Sequence, residues 1–248
     1  MKINPILFVF CLTLSMAANA QQLKLSGKIT FERKENMFKQ FEEESGPWME
    51  QMKKRMPKYR TDLFQLTFNT HKSVYLLTQE EENPTAANQF WRVSWNNAVL
   101  MDLAQKRMQA EKAVYDRNYH IEDSIPVYTW KLTGEYREIA GHLCRKATTI
   151  IMDSLYIIAF YTDEIPVSSG PESFTGLPGM ILGVVIPKIY FTIFATKVET
   201  QLIDEKEFVI KPFKKSVPMN RTGLFKEVDE ALKDWGKYGQ KIYWRVVI

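Results

Sequence analysis

The chain has 248 residues, 45% of them hydrophobic, and its 33 Lys and Arg against 29 Asp and Glu leave a net charge of +4. That near balance, with no clustered basic and aromatic residues, excludes charge-driven binding to nucleic acid. Only two cysteines are present, Cys11 and Cys144, so a disulfide-built scaffold is excluded as well.

Lys2, the apolar run "ILFVFCLTL" at 6–14 and "ANA" at 18–20 form a signal peptide over 1–20, cleaved after Ala20. The run is too short to cross a bilayer, which takes about 20 apolar residues. The mature protein is therefore expected to be exported, to periplasm or extracellular space, with no transmembrane segment after cleavage. Taking twenty residues from 248 leaves 228, divided into a β-rich domain over 21–205 and a helix-containing extension over 206–248, packed on or beside it. Cleavage removes Cys11. Cys144 then has no internal partner and reads as a small buried residue on a strand.

"LKLSGKITFERK" (23–34) alternates and reads as a strand. Over 37–57, Met37, Phe38 and Phe41 share one helical face, Gly46-Pro47 interrupts it, and Trp48, Met49, Met52 and Met56 resume it. Two short helices ending at Pro57 are expected, and helical spacing makes the methionines packing residues rather than metal ligands. Strands are expected at 63–70, 73–79, 89–95 and 97–103, with a loop at 81–88. Further extended segments follow at 112–123 and 127–133, then one long strand at 135–152 kinked at Gly141, then 154–165 ended by Pro166. Short strands in succession indicate antiparallel pairing rather than βαβ units.

"GPESFTGLPGMILGVVIP" (170–187) concentrates glycine and proline before an apolar run. Leu177-Pro178-Gly179-Met180 has the pattern of a type II turn. Two readings stay open. The stretch is a rigid crossover that sets strand register, or a preformed rim whose backbone N–H groups and Phe174 face a ligand. The segments 154–161 and 189–194 are apolar on both faces, so each must be covered twice. Thr222 or Asn220 caps a helix over 222–236, with Leu224, Val228, Leu232 and Trp235 on one stripe and Gly236 ending it. The terminal "KIYWRVVI" (241–248) reads as a strand.

"IAGHLCRKAT" (139–148), "AFYTDEIPVSSGP" (159–171) and "FTGLPGMIL" (174–182), in that order, resemble the GLPGLI family of exported bacterial proteins. Gly141, Cys144, Pro166, Gly170, Pro171, Gly176, Leu177, Pro178 and Gly179 carry the likeness. Met180 stands for the usual leucine and Phe160 where tryptophan is common. The match is strong over 139–183, weaker back to about 90, and absent beyond Pro187. It implies export and a shared β-rich fold related to the bowl-like N-terminal domain of a bacterial peptide-N-glycanase, an accessory domain. It implies no activity.

The sequence holds no G-x-S-x-G, H-E-x-x-H, C-x-x-C or phosphate-binding glycine loop, so no catalytic residue, metal or cofactor is assigned. His142 and Cys144 share a strand face, but two ligands are too few for closed zinc coordination. Asp163 and Glu164 point to opposite faces of a strand end. The expected fold is mainly β with a few helices: a strongly curved antiparallel sheet, a partly closed barrel or bowl. The expected function is a non-enzymatic binding or accessory module of the cell envelope. Tyr156, Phe160, Tyr161, Phe174 and Tyr190 line a hollow for a small apolar, peptide or glycan ligand, or serve an envelope partner. The alternatives are an envelope- or glycan-directed hydrolase and a structural, partner-binding protein.

Overall fold

A computed structural model describes residues 25–40, 47–80 and 93–248. The signal peptide, the loop at 81–88, Phe41, the side chains of Trp48, Met49 and Met52, and residues 89–92 of an expected strand lie outside the described residues. Val93, Ser94 and Trp95, the rest of that strand, form bends and a turn instead.

Alternation sets the pattern at once in β1 (Gly27–Asn36), where Ile29, Phe31 and Arg33 are buried and Lys28, Glu32 and Lys34 face outward. The remaining strands are β2 (Tyr59–Phe68), β3 (Lys72–Gln79), β4 (Ala98–Asp102), β5 (Arg107–Val114), β6 (Arg117–Ser124), β7 (Lys131–Ile139), β8 (His142–Ile151), β9 (Leu155–Thr162), β10 (Met180–Ile186), β11 (Phe191–Thr200) and β12 (Val217–Met219). Among the described residues they form one twelve-stranded sheet in the order β12-β6-β5-β4-β3-β2-β1-β11-β10-β9-β8-β7. Every pairing is antiparallel except the parallel β12–β6. The sheet stays open, because its terminal strands β12 and β7 do not pair with each other. Register shifts at Thr30/Phe31, Leu63/Phe64, Ile181/Gly183 and Leu132/Tyr136 add local twist and bend the sheet into a bowl.

Helices α1 (Met37–Gln40) and α2 (Pro47–Arg55) follow β1, and α3 (Arg221–Leu232) and α4 (Gly236–Val247) close the chain. Leu224, Val228, Leu232, Ile242 and Val246 from the last two join one core with Phe31, Ile121 and Ile193 of the strands. Asn220 caps α3, its Oδ1 accepting from the Gly223 N–H at 2.8 Å. On the outer surface, Phe208 and Ile210 cover Val74 and Ala98, so β3 and β4 are buried on both faces there. Of the late strands, β10 is almost wholly buried, whereas on the outer face of β9 Tyr156 is exposed and Ile158 and Phe160 are half-buried.

Several local expectations are corrected. The segment 112–123 holds the end of β5, a two-residue turn at Tyr115-Asp116, and most of β6. No glycine or proline marks that turn. The long strand over 135–152 is a full reversal at Ala140 and Gly141, with φ of 49° and 79°. Two positive φ values in a two-residue loop are what a primed hairpin turn requires, and glycine suits the second. Of 127–133, only the part from Lys131 pairs as strand. The terminal segment 241–248 is helical: Ile242 and Val246 face the core one turn apart, and tertiary burial overrides the β preference of its branched residues. Gly236, with φ of 55°, ends the 3-10 turn Lys233–Trp235 that prolongs α3, and the same residue begins α4.

Candidate functional site

The Gly-Pro stretch crosses between β9 and β10, and its backbone is fixed from several directions. No type II bond forms. The Gly179 N–H donates to the Leu177 carbonyl at 2.8 Å across Pro178, and the Met180 N–H reaches back to Ile165 at 3.0 Å. A tight inverse γ-type turn is therefore present. A side chain at Gly179 would run into the Thr162 carbonyl oxygen, and a Cβ at Gly170 would stand 2.7 Å from the Ile181 Cβ. These glycines permit close approach of the loop to the strands. Gly176 has φ of +92° beside the Trp130 indole. Leu177 is buried, while Pro166 and Pro178 are exposed on the loop. The segment 125–130 straps the loop: Trp130 Nε1 donates to the Thr175 carbonyl at 2.8 Å, and the Tyr128 hydroxyl lies 3.1 Å from Ser173 Oγ. Ser168 and Thr175 hold the loop together internally, Thr175 Oγ1 donating to the Ser168 carbonyl at 2.6 Å.

The outer side of this loop forms one wall of a groove of about 410 Å³. Pro166, Val167, Ser168 and Thr175 face Leu103, Lys106, Ile125, Pro126, Val127 and Thr70, which come from the turns at the same end of the sheet. Val127 is 96% exposed at its lip.

The inner side of the loop carries Glu172 into the bowl, where it is buried in a left-handed conformation with φ of 54°. Its Oε2 accepts from Asn97 Nδ2 at 2.9 Å and its Oε1 lies 3.7 Å from the Arg33 guanidinium. Arg33 also pairs with Asp62 at 3.1 Å, donates to the Ser94 and Trp95 carbonyls, and rests 4.4 Å above the Phe64 ring. Arg60 meets Asp62 at 2.9 Å, and Arg245 of α4 meets Glu35 at 3.0 Å. Lys112 donates to the Val246 carbonyl at 2.9 Å. Among the described residues the interior thus collects four cations and three carboxylates, all buried.

Burial dominates their protonation. It pushes Glu172 above the ordinary carboxylate range, and Lys112, Arg33 and Asn97 only partly offset it. Burial lowers Lys112 to about 8, against the pull of Glu172. For Glu35 the burial effect is outweighed by Arg245, Arg33 and Arg60, which hold it low. The Tyr75 hydroxyl, stacked with Phe64 at 4.7 Å, has no hydrogen-bond partner among the described residues. Arg33, Arg60 and Arg245 each meet a carboxylate, whereas Lys112 donates to a backbone carbonyl.

The aromatic residues expected to line a hollow lie apart. Tyr156 and Phe160 are on the outer face of β9, Phe160 near Phe194 with Arg137 over both rings. Tyr161 is buried on the inner face, and Phe174 packs under the loop 5.4 Å from Tyr128. Tyr190 sits in the β10–β11 turn with φ of 51°. None lines the rim groove, although Phe174 lies in the loop that walls it. Gly141 makes the β7–β8 turn. Cys144 is buried beside it, and burial raises its thiol to about 12. His142 Nδ1 lies 2.9 Å from Glu164. Sequence reasoning missed Glu172, Arg33, Lys112, Trp130 and Val127. For Arg33 and Lys112 a signal existed: each shares a strand face with apolar residues two positions away.

A family model described as a protein of unknown function (Porph_ging) matches residues 151–183, which include the Gly-Pro loop and Glu172. No curated protein matches. Among solved structures, PNGF-II in two crystal forms is similar at 14% identity and a TM-score of 0.50, over 82% and 89% of this chain. The match takes in 32% and 33% of PNGF-II, so this chain spans about a third of that protein. MucB in complex with MucA(peri) is a more distant likeness, with 10% identity, a TM-score of 0.35, and coverage of 77% of this chain and 57% of that one. At these identities the likeness to PNGF-II is one of fold. Among the described residues, no helix is long and apolar enough to cross a membrane.

Proposed function

We propose that the chain is an exported accessory module of the cell envelope that binds an extended apolar segment of another polypeptide in the rim groove. The observation that carries this reading is the groove itself, whose wall is a loop pinned by Trp130, Tyr128 and its own hydroxyl bonds. A wall held in place before binding loses little freedom on binding. The lining is aliphatic, with Pro126 and Pro166, three hydroxyls and one cation, and has no aromatic plane for a sugar ring to stack on. An extended peptide with apolar side chains fits that surface, lying along Leu103, Ile125, Pro126, Val127 and Pro166. The likeness of fold to part of PNGF-II agrees with a module that serves a larger assembly.

The test is fluorescence anisotropy of fluorescein-labelled, carboxymethylated α-lactalbumin, a permanently unfolded chain, against the mature protein. Saturable binding that falls in Val127→Asp and Ser168→Trp supports the reading. No binding by the wild type, or equal binding by both variants, overturns it.

A further inference from the structure

The opposite end of the same hairpin carries a second surface. β5 and β6 run from Lys106 and Ile125, at the rim groove, to the turn at Tyr115-Asp116, roughly 25 Å away at about 3.3 Å per residue. There the Tyr115 ring, 37% exposed, lies 6.1 Å from the Trp235 ring, 44% exposed, at an angle of 49°, and Trp235 in turn stacks on Tyr238 at 6.2 Å and 17°. The three rings form a ledge between the hairpin and the α3–α4 junction.

Tyr115 occupies this place against its backbone preference. Its φ is 55°, a conformation open to glycine and tolerated by asparagine but strained for a bulky aromatic residue. A two-residue turn joining Val114 to Arg117 would close more readily with glycine or asparagine. The ring therefore does something the turn itself does not need.

Beside the ledge lies a groove of about 280 Å³. Val114, Val228, Ala231 and Leu232 make its floor, and Asp116, Arg117, Tyr119 and Glu227 make its polar side. Arg117 Nη1 donates to Glu227 Oε1 at 2.7 Å and the Tyr119 hydroxyl donates to the same oxygen at 2.9 Å. Both bonds end on Oε1, so Glu227 Oε2 remains open to a hydroxyl donor among the described residues. Asp116 is exposed at the turn.

We propose that Tyr115, Trp235 and this groove form a binding site for a neutral sugar ring. A pyranose offers an apolar C–H face and a girdle of hydroxyls. The exposed Trp235 ring supplies a flat electron-rich surface for the first, with the Tyr115 ring inclined at 49° beside it, and Asp116, Glu227 and Arg117 supply acceptors and donors for the second. The groove is at the small end of ligand clefts, which run from roughly 300 Å³, and suits one or two rings. The charge selects against acidic sugars, because Arg117, the cation in the lining, is already paired with Glu227 and Asp116 adds a second carboxylate. This site does not depend on the rim groove.

The experiment titrates the mature protein with chitotriose, mannotriose and lactose, with a sulfated heparin hexasaccharide and choline as contrasts, following tryptophan fluorescence and calorimetric heat. The expected result is saturable binding of a neutral sugar, weakened roughly 3- to 10-fold by Tyr115→Gly and by Trp235→Ala. Tyr115→Gly relieves the strained turn, so its Tm should hold or rise while binding falls. A ring that serves only packing would lower Tm and leave sugar binding unchanged. Val127→Asp in the rim groove should leave sugar binding intact, which separates failure of the peptide reading from failure of this one. The proposal is overturned if no neutral sugar binds at up to about 10 mM, if choline or the sulfated sugar binds in preference, or if binding survives both ring substitutions.

Discussion

Lys112 gives a test of the buried charge cluster that can be worked through. Burial holds its ammonium at about 8 in the folded protein, against 10.5 for a free lysine. At about 1.4 kcal/mol per pH unit, that gap represents roughly 3 kcal/mol of penalty for carrying the charge inside. The penalty is fully present below about pH 8, where Lys112 is charged in both folded and unfolded chains. Between about 8 and 10.5 the unfolded chain holds one more proton than the folded one, so stability rises with pH. The double variant Lys112→Met/Glu172→Gln removes Lys112 together with the carboxylate that pulls on it, and leaves Arg33 paired with Asp62. Cys144 acts in the opposite sense: burial raises its thiol to about 12, so it lowers stability as pH climbs past the ordinary value of 9. It is present in both proteins and cancels in their difference. Urea unfolding at fixed salt should show the single variant Glu172→Gln gaining about 2 kcal/mol on the double variant between about pH 8 and 9.5, the raised Glu172 carboxyl being absent from both. Parallel stability curves would refute the assignment of a depressed lysine at this position.

Three further outcomes follow from the same packing. Gly179→Ala forces a methyl group against the Thr162 carbonyl and should destabilise the protein by about 2–4 kcal/mol in urea melts. Asn220→Ala deletes the α3 cap and should cost about 1 kcal/mol by the same assay. Removing α4 takes away the Val246 carbonyl from Lys112 and Arg245 from Glu35 while exposing the inner face of the sheet. The truncated chain should bind 8-anilinonaphthalene sulfonate and lose its cooperative melt, and a sharp transition like that of the full chain would show the helix to be dispensable.

The curved antiparallel sheet was legible because alternation and turn residues act locally. Ile29 and Phe31 face one way and Lys28 and Glu32 the other whatever the rest of the chain does. The helix from Arg221 was legible for the same reason, through Asn220 and the Leu224, Val228, Leu232 stripe. The hairpin at Tyr115 was not, since a strained tyrosine gives no turn signal. Nor was α4, whose valines and isoleucine favour a strand until the core draws them onto one helical face.

What the chain determined by itself was the alternation of its strands, the cap at Asn220 and the stiffness of the Gly-Pro loop, all set by neighbouring residues. Tertiary structure decided that the loop carries Glu172 to Arg33 and Lys112, that its outer edge walls a groove, and that Tyr115 meets Trp235 across more than a hundred residues. Those meetings depend on the curvature and register of twelve strands, and no short-range preference encodes which distant side chains a bent sheet brings into contact.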